Sequence, residues 1–329
     1  FASVLALLCG SSTLHAQDFK LTSSGYFKNQ GVDVMAFDDI YPEGHQGGVC
    51  IIMNGHRVAT NGDIRLEATP GQWQPVPKQL DRKLGDNSIT ATLCYPDSSR
   101  HLTGFNPMIY PDLHLIYTVN VESKGKNIEV TVDLDRPIPQ EFIGKVGFNL
   151  EFFPGSLFGK PWIMDGQSGI FPQQPNSPLM TTQPNYLHTG NYHDGKKSLA
   201  DMDKLIGKGY SPIVADDIIS EPYAKGTKFT SRPDDPYNKV TIESLSGDLQ
   251  LFDGRMNHNN GWFVLRSNIK PGVTKGAVKW IITPNVVADW MYQPVIQTSQ
   301  IGYHPTQDKE AVIEMDIRDN RKETAQIIR

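Results

Sequence analysis

NIEVTVDLD, Asn127 to Asp135, decides the fold, because Ile128, Val130, Val132 and Leu134 alternate with Asn127, Glu129, Thr131, Asp133 and Asp135. A period of two puts the apolar set on one face of a strand and the polar set on the other, the signature of a half-buried β-strand. His114 to Glu122, HLIYTVNVE, precedes it and has the same character. Ser123-Lys124-Gly125-Lys126 between them is a short, polar, glycine-containing connection that fits a hairpin.

Outward from this hairpin the apolar runs stay short: GVCIIMN, SITATLCY, VGFNLEFF, KVTIESL, LQLFD, GWFVLRSNI and AVKWIITP. The 29 Gly and 23 Pro fall between such runs, which is the punctuation of an antiparallel β protein. Only KSLADMDKLI, Lys197 to Ile206, has the spacing of a short helix, with Leu199, Met202, Leu205 and Ile206 on one face. No strands alternate with long amphipathic helices, so a parallel α/β sheet is excluded. A chain of 329 residues exceeds one small core. The fold class expected is all-β: a large antiparallel β-sandwich, of the double or super-sandwich kind, over residues 17–292.

Charged residues are 20% with a net charge of -5, which leaves no basic patch for nucleic acid and no acidic block; the partner expected is neutral. Phe1 to Ala16, FASVLALLCGSSTLHA, is an apolar run without Asp, Glu, Lys or Arg, followed by Gln17-Asp18. It is the pattern of a signal-peptide remnant, 1–16, and predicts export. No later run reaches the roughly 18 apolar residues of a membrane span. Cys50 and Cys94 lie in apolar runs, where they either pair in an oxidising compartment or act as two small buried hydrophobes.

The strand pattern lapses between Phe153 and Tyr192, a stretch dense in Pro, Gly, Gln and Asn, and again between Ser220 and Tyr237. Long loops of this kind carry function, and flat rings in polar loops stack on the apolar faces of sugars. Trp73, Trp162, Tyr186 and Tyr192 are therefore the carbohydrate-binding candidates, against the alternative that they close the sandwich as edge aromatics. Trp262, inside GWFVLRS, is assigned to the core.

Asp38-Asp39, Asp216-Asp217 and Asp234-Asp235 do not mark a glycosidase pair, since neighbouring strand positions face opposite ways. As loop carboxylates they could hold a structural Ca²⁺, and no other cofactor is expected. His188 and His193 have no third ligand at helical spacing, so no metal site is assigned. With neither a phosphate loop nor a nucleophile elbow, no catalytic residue is assigned.

Near the end stand QTSQIGYHP, Gln297 to Pro305, and KEAVIEMD, Lys309 to Asp316. The order and spacing of Ser299, Gln300, Gly302, Tyr303, Pro305, Lys309, Ala311 and Ile313 resemble the opening of the immunoglobulin-like domain that precedes the catalytic barrel in glycoside hydrolase family 9. Gly302 suits a bend, Pro305 ends the first strand, and Val312 with Ile313 supplies core residues for the next. Gln293-Pro294 makes the junction, so 293–329 is expected to be the truncated start of an immunoglobulin-like β-sandwich.

That family includes cellulases and related β-glucanases. The resemblance implies a parent enzyme that hydrolyses β-1,4-glucan or a related plant polysaccharide with inversion, on a helical barrel downstream. It also implies a poly- or oligosaccharide partner, and a periplasmic or cell-surface address in a Gram-negative bacterium. This stretch would then be the non-catalytic accessory region. Two other readings stay open: a stand-alone glycan-binding β-sandwich, and a large domain that is itself an enzyme of sugar mutarotase or lyase type.

Overall fold

Burial alternates along Asn127–Leu134 without a break. This strand pairs with Ile116–Lys124 through a two-residue turn, because Lys124 lies opposite Asn127. Gly125 takes φ +66° there, a conformation that glycine adopts at no steric cost. The computed structural model describes residues 18–38, 47–67, 70, 77–95, 113–175, 221–256 and 261–320.

In chain order the strands begin with β1 (Lys20–Leu21), β2 (Phe27–Asn29), β3 (Val32–Ala36), β4 (Val49–Met53), β5 (His56–Leu66), β6 (Lys78–Leu84) and β7 (Ser88–Cys94). They continue with β8 (Ile116–Lys124), β9 (Asn127–Leu134), β10 (Val146–Phe152), β11 (Pro161–Met164), β12 (Gln167–Ile170), β13 (Ala224–Gly226) and β14 (Lys228–Ser231). The last are β15 (Val240–Ser244), β16 (Leu249–Asp253), β17 (Phe263–Asn268), β18 (Val278–Pro284), β19 (Val295–Gln297) and β20 (Val312–Glu314).

Among the described residues two nine-stranded sheets form the body, in the orders β1-β2-β3-β4-β5-β10-β17-β16-β13 and β12-β11-β14-β15-β18-β9-β8-β7-β6. Strands β19 and β20 make a separate two-stranded sheet. The expected all-β sandwich is thus present, with every paired strand antiparallel to its neighbour, as in β5 with β10 and β8 with β9. The core lies between the large sheets. Phe148 on β10 meets Trp280 on β18 edge to face at 5.0 Å, and Phe152 meets Phe229 at 5.8 Å. Trp280 donates its indole N–H to Ser267 Oγ on β17 at 3.0 Å, so this buried ring leaves no polar atom unpaired.

The two sheets treat their outer faces differently. Strands β7, β8, β9 and β18 alternate buried with half-buried residues, so the second sheet keeps one face towards water. In the first sheet, β10 is buried at every position and β5 from Val58 onward. The second face of these strands is polar, and it is where charge is buried.

Two stretches expected to be loops contain strands. Residues 161–170 form the β11–β12 hairpin around Asp165-Gly166, whose positive φ values of 46° and 83° suit a tight two-residue turn. Within Ser220 to Tyr237 lie β13 and β14, which complete the edge of the first sheet and join β11 to β15 in the second. The expected helix Lys197–Ile206 and the leader 1–16 lie outside the described residues.

Candidate functional site

Strand β5 outruns its neighbour. Pairing with β4 ends at Val49 opposite Gly62, so Ile64 has no β4 partner for its backbone groups. Its N–H donates to Asp63 Oδ1 at 2.7 Å, and its carbonyl accepts the Tyr95 hydroxyl at 3.0 Å. Tyr117 on β8 donates to the same Asp63 oxygen at 2.9 Å. Backbone groups with no ladder partner are thereby satisfied by side chains. Burial pushes the Asp63 pKa up to about 6, against the lowering effects of Arg65, the Ile64 N–H and Tyr117.

Beside it lies a buried ionic network. Arg266, 1% exposed, donates to Asn149 Oδ1 at 2.9 Å, to Glu67 Oε1 at 3.3 Å and to Asn268 Oδ1 at 2.8 Å. It also donates to the backbone carbonyls of Glu67 and Lys145, at 3.0 and 3.1 Å. Asn149 Nδ2 donates to Glu67 Oε1 at 2.6 Å, and Asn61 Nδ2 to Glu151 Oε2 at 2.5 Å.

Burial pushes the Glu67 carboxyl up to about 7 although Arg266 and Asn149 pull it down. Burial works against the charge on Arg65 as well, but the Glu151 and Asp63 carboxylates outweigh it and its pKa rises. Two guanidiniums and their carboxylates thus cover one another, the arrangement by which a sheet can bury both faces.

The second constellation is the β19–β20 hairpin, which pairs Val295 with Glu314, Ile296 with Ile313 and Gln297 with Val312. Gly302 takes φ +82° in the connection, and its N–H donates to the Ser299 carbonyl at 3.2 Å. The Tyr303 hydroxyl accepts the Ser299 N–H at 3.2 Å and donates to the Glu310 carbonyl. Lys309 Nζ donates to the carbonyls of His304, Pro305 and Gln307, at 3.1, 2.8 and 2.5 Å. Gly302, Tyr303, Pro305 and Lys309 therefore each shape the turn. Gln300 is exposed and bonds no other described side chain.

Residues 285–293 join hairpin to sandwich. A Cβ at Gly31 would lie 2.7 Å from the Trp290 ring, and one at Gly55 would lie 3.2 Å from the Tyr292 ring, so each ring rests on a turn that needs glycine. Gln30 Nε2 donates to the Trp290 carbonyl at 2.7 Å, and Arg318 donates to the same oxygen. Asp316 accepts the Tyr292 N–H at 3.0 Å. The Arg318 guanidinium, with the Tyr292 and Arg318 amides, holds the Asp316 carboxyl well below the usual carboxylate range. Beside this junction opens a pocket of about 530 Å³ lined by Tyr237, Asp289, Trp290, Met291 and Gln293.

Of the residues expected to bind carbohydrate, Trp162 lies on β11, 6% exposed, with its ring 2.3 Å from where a Cβ on Gly169 would stand. A ring so placed fills the core and offers no open face to a sugar, a correction of its expected loop position. Trp73, Tyr186 and Tyr192 lie outside the described residues, as do His188 and His193. Trp262 packs edge to face on Phe153 at 4.4 Å.

Cys50 on β4 and Cys94 on β7 are separate thiols. Asp38 lies 3.8 Å from Arg82, and Asp235 is engaged by Arg232, Asn238 and the Tyr237 N–H. Among the described residues no three His, Cys, Asp or Glu gather as a metal site, and Asp39, Asp216 and Asp217 of the doublets lie outside the described residues. Trp290 and Tyr237 were not singled out by sequence reasoning. Their signal was an aromatic beside Asp or Gln in ADWMYQP and DDPYN, stretches with no strand period.

No protein-family model and no curated protein matches the chain. Among solved structures, the Slr1438 protein from Synechocystis sp. PCC 6803 aligns over 82% of this chain and 96% of its own, at 9% identity and a TM-score of 0.36. A galactose mutarotase-like protein from Lactobacillus casei aligns over 78% and 98%, at 12% identity and a TM-score of 0.34. The heparan sulfate lyase HepC from Pedobacter heparinus aligns over 88% of this chain but only 40% of its own, at 12% identity and a TM-score of 0.29. At these scores the likeness identifies neither a family nor an activity. Among the described residues no helix is long and apolar enough to cross a membrane.

Proposed function

We propose that this chain is the non-catalytic N-terminal region of an exported glycoside hydrolase of family 9, acting on β-1,4-glucan or a related plant polysaccharide. The observation that carries the reading is the β19–β20 hairpin. Its motif residues hold the turn between the two strands, and its apolar side chains lie open: Ile296 is 60% exposed, Val312 65% and Ile313 45%. A two-stranded sheet is marginal by itself, and such an apolar surface calls for further strands. An immunoglobulin-like sandwich built onto β19 and β20 supplies them.

On this reading the leader 1–16 directs the protein out of the cytoplasm, and hydrolysis belongs to a helical barrel further along the gene product. The 329-residue chain is then inactive on cello-oligosaccharides, whereas the full gene product releases sugar of inverted anomeric configuration, seen by NMR. Hydrolysis by the chain alone, or downstream coding sequence without a helical barrel, would overturn the proposal.

One observation favours a sandwich that is itself catalytic: the Glu67 carboxyl near pKa 7 suits a proton donor at neutral pH. Against it, that carboxyl is engaged by Asn149 and Arg266, and its place in the sheet accounts for it without a substrate.

A further inference from the structure

We propose that the junction pocket of Tyr237, Asp289, Trp290, Met291 and Gln293 is a binding subsite for a neutral glycan segment, contributed jointly by the large sandwich and the strap that leads to the hairpin. Its volume of about 530 Å³ falls in the range of small-molecule sites. The lining combines what a pyranose requires. Two aromatic rings and a thioether can meet its apolar faces, while a carboxylate and an amide can meet its hydroxyls.

The Tyr237 side is open to water, the residue being 49% exposed. Asp289 and Gln293 are exposed and hydrogen-bond no other described residue, so their polar groups are available to a ligand. Among the described residues, Asp289 is the one ionisable lining group apart from the Tyr237 phenol. Arg318, which reaches the Trp290 carbonyl, is already paired with Asp316. Among the described lining residues the charge is the Asp289 carboxylate, which repels a uronate or phosphorylated sugar and favours a neutral one.

The backbone that carries these side chains is fixed before any ligand arrives. Asn54 Nδ2 donates to the Tyr237 carbonyl at 2.5 Å, Asp235 accepts the Tyr237 N–H at 3.0 Å, and Gln30 holds the Trp290 carbonyl. Trp290 and Tyr292 pack edge to face at 6.1 Å. A site whose parts are already ordered loses less freedom on binding, which suits the weak individual contacts that sugars make.

The pocket's preference for a neutral glycan stands on its lining; that the glycan is a β-1,4-glucan rests on the functional reading above. Tryptophan fluorescence titrations of the 329-residue chain with cellohexaose, xylohexaose, maltohexaose and an oligogalacturonate test both. Saturable binding of cellohexaose, weakened about five- to tenfold by Tyr237→Ala and by Gln293→Ala, is the expected result, the size of loss seen on truncating a contact residue. Both side chains are exposed, so the variants keep the fold; Trp290→Ala is avoided because that ring rests on Gly31.

Binding of maltohexaose but not cellohexaose or xylohexaose, lost in the same variants, would uphold the subsite and count against the β-glucan reading. No binding of any neutral glycan, equal binding of the oligogalacturonate, or binding that both variants leave intact would overturn the subsite.

Discussion

Replacing Glu67 by Gln changes how stability depends on pH, and the structure gives both sign and size. The folded protein holds the Glu67 proton up to about pH 7, whereas the ordinary value for a glutamate is 4.5. Below the lower value both folded and unfolded chains are protonated, and the stabilising contribution is fully present. As pH rises between the two values, the unfolded chain releases its proton and the folded chain does not, so stability falls. At about 1.4 kcal/mol for each pH unit the loss is about 3 kcal/mol by neutral pH.

Gln cannot ionise, yet its Oε1 can still accept from Asn149 Nδ2 and Arg266. Asp63, with a folded value of about 6 against 3.8, adds a fall of the same sign in both proteins and cancels from their difference. Urea unfolding of wild type and Glu67→Gln, at pH steps from about 4 to 8, should show the variant gaining about 3 kcal/mol relative to wild type across that range. A constant difference would refute the assignment. Wild type gaining on the variant as pH rises would mean that the Arg266 ion pair outweighs burial, so that Glu67 is ionised throughout.

Two further changes probe the same elements. Arg266→Met removes the hydrogen bonds that Arg266 gives to Glu67, Asn149, Asn268 and two backbone carbonyls, and should cost about 3 kcal/mol in urea unfolding at neutral pH, the scale for leaving buried acceptors short of a donor; a loss below about 1 kcal/mol would show that the network is not a brace. Tyr303→Phe removes the hydroxyl shared by the Ser299 N–H and the Glu310 carbonyl, and should weaken the hairpin by about 1 kcal/mol; amide exchange at Ser299 reads this directly, and unchanged protection there would separate the tyrosine from the turn.

How much of this was legible in the sequence varies with the kind of residue. Asn127 to Leu134 declared itself because one face is apolar and the other meets water, so periodicity and environment coincide. The β11–β12 hairpin carried a signal that went unused: Asp165-Gly166 between Trp162-Ile163-Met164 and Gln167 to Ile170 is a turn dipeptide flanked by strands, obscured by the Pro and Gln content around it. Trp162 consequently stood in a supposed loop, although its ring belongs to the core.

The alternation of Asp63, Arg65 and Glu67 with Ile64 and Leu66 is also a period of two, and by itself implies a solvated polar face. All five are buried. Period reports which residues share a face and is silent on what covers it, so a buried charge cluster and a solvated edge carry the same pattern. The residues around Gly302 act locally instead: the Tyr303 and Lys309 side chains satisfy backbone groups of the same turn.

The contacts at 285–293 bear on what the large sandwich contributes. A Gly- and Ser-rich tether would let two units wander, with an end-to-end distance that grows as the square root of its length. This strap has no such freedom. Trp290 rests on Gly31 and Tyr292 on Gly55, while Gln30 and Arg318 converge on one carbonyl and Asp316 holds the Tyr292 amide.

The hairpin is therefore carried in a fixed attitude by the turns of the first sheet, and any fold that grows from β19 and β20 inherits that attitude. A glycan strand lying in the junction pocket would be presented at one distance and one angle to whatever follows. Linked sites of this kind gain effective concentration when their spacing matches the ligand and lose it when the connection flexes. A rigid strap is thus the form an accessory region should take if it positions polymer, and the side chains of Tyr237, Asp289 and Gln293, which hydrogen-bond no other described residue, stand beside it where a polymer would pass.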